Sequence, residues 1–571
     1  MSTNFEVTGK HKAALFTMKL HRGEGMLLIA MNWKKDKPPR DFVGFAIEYK
    51  EPKGDKFFAL KNRIAFPGLD DSVNPNQMST RLSPIQKFRW VHFPRNAELA
   101  GDFTYKVTPV FMNDKDELSY GEPQEAKIEL SRETFPGKLN VTFTRGFVSS
   151  QAFVDKFGAD AIPKLLPSKA AGGLEFVPTL AKSEAALAWM GFEARSAILE
   201  VLDEGVADSQ AQIRLLVYDF NLPEILKRLR NKNLKGRLKV IIDDSGDHRP
   251  KTSAETSAFN QLSRLIGAEN IKRQHMGNLQ HNKMVLVDGP KAQAAVVGST
   301  NHSWRGFYVQ NNNAIILKGK DAVKLCMKAF EDYWANDDVK GFSGTTSASW
   351  NDLKLSGIDA EINFSPRSKK NAVLKSIGDD VATTTSSLFF SLAFLYQTKG
   401  PIREAITKLQ QDDEIFSYGI SDREVGGLDM AKPSGKVVLV APQALAKNLP
   451  LPFKAEPTGG GGVRLHHKFV VIDFDKPAAR VYMGSFNFSG VADTSNGENL
   501  LLIRDRRVAT SYMIEAVRIF DHYEFRVAQA KATKARAKLQ LRKPPRNPGE
   551  KPWFDEDYTN PRKITDRELF S

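Results

Sequence analysis

HNKMVLVDGPKAQAAVVGSTN, residues 281–301, and HHKFVVIDFDKPAARVYMGSFN, residues 466–487, decide the reading of this 571-residue chain. Each opens with His, one residue, Lys, four residues, Asp: His281, Lys283 and Asp288 in the first, His466, Lys468 and Asp473 in the second. Each then reaches Gly-Ser, one residue, Asn, as Gly298, Ser299 and Asn301 and as Gly484, Ser485 and Asn487. The offset from His to Gly is 17 in one copy and 18 in the other, and the two histidines are 185 residues apart. A further Asn precedes an apolar run in each: Asn313 before AIIL and Asn499 before LLLI.

The spacing has a physical meaning. Side chains at i and i+2 of a strand share a face, so His281 lies beside Lys283 and His466 beside Lys468. The runs MVLV and FVVI anchor each strand in a core. A His and a Lys leading into such a run need polar partners or a ligand. Asn301, Asn487, Ser299 and Ser485 follow strand ends and can donate to an oxyanion. A duplicated fold brings both half-sites to one cleft that holds two imidazoles, two ammoniums and two amides. That set suits a phosphodiester: one His attacks phosphorus while the other protonates the leaving oxygen. The lysines and asparagines then neutralise the non-bridging oxygens in the transition state. No metal is required, and the sequence contains no HExxH, no GxxxxGK[ST] and no Cys/His cluster. Asp288 and Asp473 are expected to fix ring tautomer and orientation, or to ion-pair near the site, rather than to hold a metal.

These segments closely resemble the paired HKD motifs of the phospholipase D superfamily, over roughly residues 190–525. The resemblance implies a covalent phosphohistidine on His281, with His466 as general acid that later activates water or an alcohol. It implies phosphate binding by Lys283, Lys468, Asn301 and Asn487, support from Ser299 and Ser485, and neither cofactor nor metal. One departure stands out. The second copy has Asn496, Gly497, Glu498 and Asn499 where the first has Gln310, Asn311, Asn312 and Asn313. An acid at the Glu498 position often hydrogen-bonds a motif histidine in that family, so the two histidines are expected in unequal environments. His467, on the opposite strand face, is expected to be structural or supporting.

Around this core the chain reads as multidomain. Residues 1–148 read as an all-β sandwich of immunoglobulin or fibronectin type. Its runs GMLLIAMNW, DFVGFAIEYK, FTYKVTPVFM and KLNVTFTR are separated by turns such as KKDKPP and FPGLDDS, with the Trp of KFRWVHFP as a core aromatic. Residues 149–345 alternate strands and helices, including QIRLLVYDF, LKVIIDD and the helix DAVKLCMKAFEDYW. Residues 346–525 repeat the pattern, so two pseudo-symmetric phospholipase D-like α/β domains are expected. Residues 526–571 form a tail that carries eight Lys or Arg and no acid between Arg526 and Arg546. It reads either as a solvated helix face with a segment lying across the domain, or as a phosphate-backbone or membrane-surface contact.

Composition narrows the classes. Lys and Arg total 82 against 67 Asp and Glu, a net charge of +15 that favours an anionic partner. Hydrophobic residues at 41 % and aromatics at 10 % exclude collagen-like and wholly disordered chains. The single cysteine, Cys326, excludes an intrachain disulfide and an all-cysteine metal cluster. The opening MSTNFEVTGKHKAALF has no cationic-then-apolar leader, and no run reaches the ~18 apolar residues of a spanning helix. A soluble, cytoplasmic protein, peripheral to membranes through its basic tail, is therefore expected.

Three functions fit. The preferred one is a phospholipase D-type hydrolase or transferase acting on phospholipid head groups. The second is a nuclease or nucleic-acid end-processing phosphodiesterase, which the charge favours although no DNA-binding motif is evident. The third is a non-catalytic binding or scaffold protein, against which the intact histidines and lysines speak. Some segments keep two readings. Asp243, Asp244 and Asp247 form a capped loop, or else line the cleft mouth or bind a cation. Gly459 to Gly462 are a flexible loop that could gate substrate. Trp304, Arg305 and Phe307 either pack or touch substrate beyond the phosphate.

Overall fold

The computed structural model describes residues 4–68, 78–130, 133–146, 150–158, 160–395, 398–409, 411–412, 414–421, 437–440, 465–534 and 539–571. Gly459 to Gly462 lie outside the described residues.

The amino-terminal part is built from antiparallel strands. Glu6–Thr8, Phe16–Gly23, Met26–Trp33 and Arg89–His92 form one sheet. A second centres on Asp102–Met112, which pairs with Phe42–Lys50, Leu118–Tyr120 and Gln124–Glu129. Side chains of successive strand residues point to opposite faces, and in Met26–Trp33 both faces are used. Leu27, Ile29 and Met31 pack with Phe45, Ile47 and Phe103 between the two sheets. Met26, Leu28 and Ala30 join the largest core of the molecule. That face is covered by the long helix Arg506–Lys534, which packs on Phe16–Gly23. Burial on both sides explains why GMLLIAMNW is apolar almost throughout instead of alternating. Trp90 sits partly buried at the edge of the inter-sheet core.

Two mixed sheets follow. In the first, Leu139–Phe143, Asn313–Lys318, Gln293–Gly298, Met284–Asp288, Gln212–Val217, Leu238–Asp243 and Ile271–Gln274 lie side by side. In the second the order is Asn351–Asp352, Asp359–Ser365, Glu498–Arg504, Arg480–Gly484, Lys468–Ile472, Ser387–Leu392, Phe416–Ile420 and Val437–Val440. Apart from the short edge strand Asn351–Asp352, the sheets agree strand for strand in order. They agree also in pairing sense: antiparallel up to Gln212–Val217 or Ser387–Leu392, and parallel beyond. Helices such as Ser183–Ala207 and Lys320–Ala335 cover the faces. Cys326 is fully buried in the latter, where burial pushes its thiol up to about 12. Among the described residues no helix is long and apolar enough to cross a membrane.

One expectation needs correction. KLNVTFTR, read as part of the amino-terminal β domain, instead supplies the strand Leu139–Phe143, which pairs antiparallel with Asn313–Lys318. All five of its residues are buried, as suits a strand in a sheet covered on both faces. Of the two readings of residues 526–571, the described part fits the segment lying across the domain. After the helix, Leu541 is buried against Val43, Val110 and Met112, and Phe554 enters the core between the amino-terminal sheets. Phe570 is fully buried in the largest core. Lys543 pairs with Asp116, and Arg546 with Asp114 and Asp116. Lys543 and Arg546 are thus paired with acids of the amino-terminal sheets' loops.

Candidate active site

The two histidine strands start where the two sheets meet, and main-chain bonds pin them together. The Gly497 amide donates to Leu279 O at 2.8 Å, and the His466 amide donates to Asn311 O at 3.2 Å. Each histidine thus enters its strand beside a loop of the other sheet. The imidazole centroids of His281 and His466 lie 6.3 Å apart. Both rings line one cleft of about 660 Å³, together with Asn301 and Asn487.

The ring orientations are set crosswise. His281 Nδ1 meets Glu498 Oε2 at 2.7 Å, although Glu498 belongs to the second sheet. A carboxylate only accepts, so His281 carries its proton on Nδ1 and keeps a lone pair on Nε2. His466 Nδ1 meets Asn312 Oδ1 of the first half at 2.8 Å. The Asn312 amide cannot turn away, because its Nδ2 donates to Gly306 O at 2.9 Å. Asn312 therefore occupies the place that Glu498 has in the other half, and the expected inequality of the histidines is one of charge.

The Gly-Ser loops explain how these orienters are held. Gly298 and Gly484 adopt φ of +132° and +147°, which disfavour a side chain. At Gly298 an added Cβ would lie 2.7 Å from Asn313 O. These turns let the Ser299 and Ser485 amides reach Asn313 O and Asn499 O at 3.0 and 3.1 Å. The serine hydroxyls, expected to support phosphate, are fully buried and face elsewhere. Ser299 Oγ donates to Asn312 Oδ1 at 3.0 Å, and Ser485 Oγ donates to Glu498 Oε2 at 2.7 Å.

The motif aspartates do not reach the rings. Each lies seven positions along extended chain from its histidine, roughly 23 Å at about 3.3 Å per residue. Asp288 accepts from Gln293 Nε2 at 2.7 Å. Asp473 ties down the entry to Ser387–Leu392, accepting from the amides of Thr385, Ser386 and Ser387 and from Thr385 Oγ1. The expectation that these aspartates orient the rings is therefore corrected: Glu498 and Asn312 have that position. His467 points away from the cleft and bonds Glu515 at 2.9 Å, both fully buried.

Lys283 and Lys468 turn their ammonium groups back to the carbonyls of His281 and His466. Burial lowers the Lys283 pKa to about 7, against the pull of Glu498, Asp219 and Asp243. It takes Lys468 well below its ordinary value, with the charge of Lys283 adding to the effect. Burial also lowers both histidines. Glu498 counters this at His281, whereas at His466 the two lysines and His281 deepen it. The site is a desolvated cluster of suppressed cations, which an entering anion would recharge.

Residues outside the motifs complete the cleft. Tyr218 stacks edge-on between His281 and His248, at 4.7 and 4.6 Å, and the Lys283 ammonium lies 4.7 Å from its ring centroid. Asp219 Oδ2 accepts from Asn301 Nδ2 at 2.8 Å, and its Oδ1 meets His248 Nε2 at 3.1 Å. His248 Nδ1 in turn meets Asp243 Oδ2 at 2.7 Å, and Asp243 Oδ1 accepts from the Gln280 amide, next to His281. So Asp243 is a loop anchor and Asp247 lines the cleft, uniting both readings of that segment. Trp304 packs, donating from its indole to Gly173 O at 2.9 Å, while Arg305 lines the cleft. The signal for Tyr218 and Asp219 was present in LLVYDF: residues just past the carboxyl end of a strand in an α/β sheet are where ligands sit. Among the described residues no group of three or more His, Cys, Asp or Glu is placed to hold a metal ion.

Residues 203–334 match the family model described as cardiolipin synthase, PLD-like domain. Curated proteins named phospholipase D are similar over a short stretch. That of Rickettsia felis (strain ATCC VR-1525 / URRWXCal2) is 46 % identical over 48 residues, and that of Rickettsia prowazekii (strain Madrid E) 48 % over 48 residues. Each match takes in 8 % of this chain and spans 22 % of the relative's length. Among solved structures, the phosphatidylserine synthase of Haemophilus influenzae Rd KW20 aligns at 12 % identity over 61 % of this chain and 92 % of that one, with a TM-score of 0.44. Nuc of Salmonella typhimurium, a phospholipase D family member, aligns at 16 % identity over 30 % and 95 %, with a TM-score of 0.18. The family match spans the first His-Lys strand and its Gly-Ser loop, and the second copy of the same constellation faces it across the cleft: residues 203–334 match a phospholipase D-like domain.

Proposed function

We propose that the cleft is the active site of a phosphodiesterase that hydrolyses or transfers phospholipid head groups through a phosphohistidine. The observation that carries this reading is the pair of imidazoles 6.3 Å apart, each held through Nδ1 so that Nε2 remains for chemistry. His281 Nε2 attacks phosphorus and forms the N–P bond while the P–O bond to the leaving alcohol breaks. His466, protonated, gives its proton to that oxygen. Neutral His466 then takes a proton from water or an acceptor alcohol, whose oxygen attacks the phosphohistidine and releases His281.

The unequal partners suit unequal roles. The Glu498 carboxylate stabilises the positive charge that His281 acquires on bonding phosphorus. Asn312 carries no charge, so a protonated His466 is the stronger acid. Lys283, Lys468, Asn301 and Asn487 are assigned to the non-bridging oxygens, where buried donors stabilise developing charge. We read the two α/β units as pseudo-symmetric halves of one catalytic body, and the amino-terminal immunoglobulin- or fibronectin-like layer as an accessory to it. The lipid substrate is preferred because the curated relatives over the matched stretch are named phospholipase D.

The test offers labelled phospholipid vesicles, plasmid DNA and single-stranded oligonucleotides in parallel, with a chelator present. Release of head group from lipid is expected. Cleavage of nucleic acid alone would replace this reading by a nuclease, and no turnover of any phosphodiester would favour a binding protein.

A further inference from the structure

One wall of the cleft has the wrong charge for a site that only receives phosphate. Asp219, Asp247 and Glu255 line it, and Asp243 stands behind His248. The cations His248 and Arg305 also line the cleft, so among the described residues of this wall four carboxylates face two cations. Two of the four are spent on the fold: Asp243 anchors Gln280 and His248, and Glu255 accepts from the Phe220 amide at 2.8 Å. Asp219 and Asp247 keep exposed surface, Asp219 with a side chain 28 % exposed. Burial opposes ionisation of Asp219, but the hydrogen bond and charge of His248 hold its pKa below the ordinary value. Burial likewise opposes the His248 imidazolium, and its bonds to Asp219 and Asp243 still raise it to about 10.

A second observation concerns hydrogen bonding. Asn301 is 2 % exposed and lines the same cleft, yet its Oδ1 has no donor among the described residues. A buried acceptor without a donor is costly. Carboxylates beside a phosphate site are costly too, through repulsion of the anion. Both costs are offset by one kind of ligand, a phosphodiester bearing a positively charged hydrogen-bond donor on a substituent. The two halves differ here. By register Asp219 stands where the second half has Phe394, since Leu216 faces Met284 as Leu392 faces Lys468 one residue earlier in its motif. Among the described residues the acidic wall thus lies on the first sheet's side of the cleft.

We infer that the Asp219–Asp247 wall is a subsite for the ammonium group of an amino-alcohol phosphodiester, with the ammonium on these carboxylates while the phosphate lies between His281 and His466. This rests on the phosphodiesterase reading and adds to it the substrate class. Such a zwitterionic substrate carries both charges the cleft asks for, and a polyanion meets the wall with repulsion.

The test compares kcat/KM for phosphatidylethanolamine, its N-acetylated derivative and phosphatidylglycerol in mixed micelles. Bis(4-nitrophenyl) phosphate reports whether the phosphodiester chemistry is present at all. A charged hydrogen bond of about 1.5 kcal/mol corresponds to roughly tenfold. Phosphatidylethanolamine is therefore expected to exceed its N-acetyl derivative by about tenfold, and both Asp219→Asn and Asp247→Asn to shrink that ratio. Reading a ratio removes any general loss in the variants. Equal rates for the two lipids, a ratio unmoved in both variants, or a preference for phosphatidylglycerol would overturn the ammonium subsite while hydrolysis of the aryl diester left the phosphodiesterase reading standing. If no diester is hydrolysed, that reading fails, and calorimetry decides the subsite separately. Phosphoethanolamine is expected to bind more tightly than ethyl phosphate, and equal affinity would overturn it.

Discussion

Glu498, on a strand of the second sheet, accepts the Nδ1 proton of His281, at the start of a strand of the first, at 2.7 Å. The reciprocal contact joins His466 to Asn312 at 2.8 Å. Each half of the molecule thus orients the ring of the other, and neither half holds a complete site.

That exchange makes the charge of the orienting residue a control on rate. Glu498→Gln keeps an acceptor oxygen near His281 but removes the charge that favours an imidazolium. The expected loss in kcat is about 10²-fold or more, in the range for a positioned acid–base group. Asn312→Asp should act in the opposite sense at His466: a carboxylate favours the protonated ring, so its pKa rises. The alkaline limb of the pH–kcat profile should move to higher pH, and an unmoved limb would remove His466 from the general-acid role.

The two histidines should behave as one device. Alanine at His281 or at His466 is expected to cost ~10³-fold or more in kcat, and the double variant little beyond the worse single one. Losses that multiply in steady-state assays would contradict a shared phosphorus atom.

Proton uptake should accompany anion binding. Burial lowers Lys283 to about 7 and takes Lys468 and His466 well below their ordinary values. A bound phosphate or tungstate raises these values, so protons are taken up between the free and bound pKa. Affinity is highest below that window and falls as pH rises through it. Calorimetric titration near pH 8 in buffers of different ionisation enthalpy measures the uptake directly, and none is the contrary result.

Asp473 should matter for stability and not for chemistry. Its carboxylate satisfies the amides of Thr385, Ser386 and Ser387. Asp473→Ala leaves these donors without it and is expected to cost about 2–3 kcal/mol in chemical denaturation. Folded protein should keep kcat within about twofold, against the ~10²-fold loss expected for Glu498→Gln.

The carboxyl-terminal segment should behave as core. Phe554 and Phe570 are 1 % and 0 % exposed. Phe554→Ala and Phe570→Ala should each destabilise by roughly 3 kcal/mol or more, as large-to-small core changes do. A near-neutral effect in thermal or urea unfolding would return this segment to the status of a surface tail.

Much of this was legible before any fold was known. The alternation that puts His281 beside Lys283, the Gly-Ser turns and the repeated order of strands depend on neighbours within a few tens of residues. Local backbone geometry therefore determined them, twice over, and with them the two halves and their histidines. What only the tertiary structure decided depends on contacts between distant segments. Glu498 lies 217 positions from the ring it orients. Asp288 and Asp473, although within the motif, end up at the far ends of their strands because an extended chain carries them away. Asp219 meets His248 and Asn301 only because the ends of parallel strands converge on the cleft. The basic stretch near the carboxyl terminus read as a tail because its charge is local, whereas the acids and the apolar core that receive it are hundreds of residues earlier in the chain.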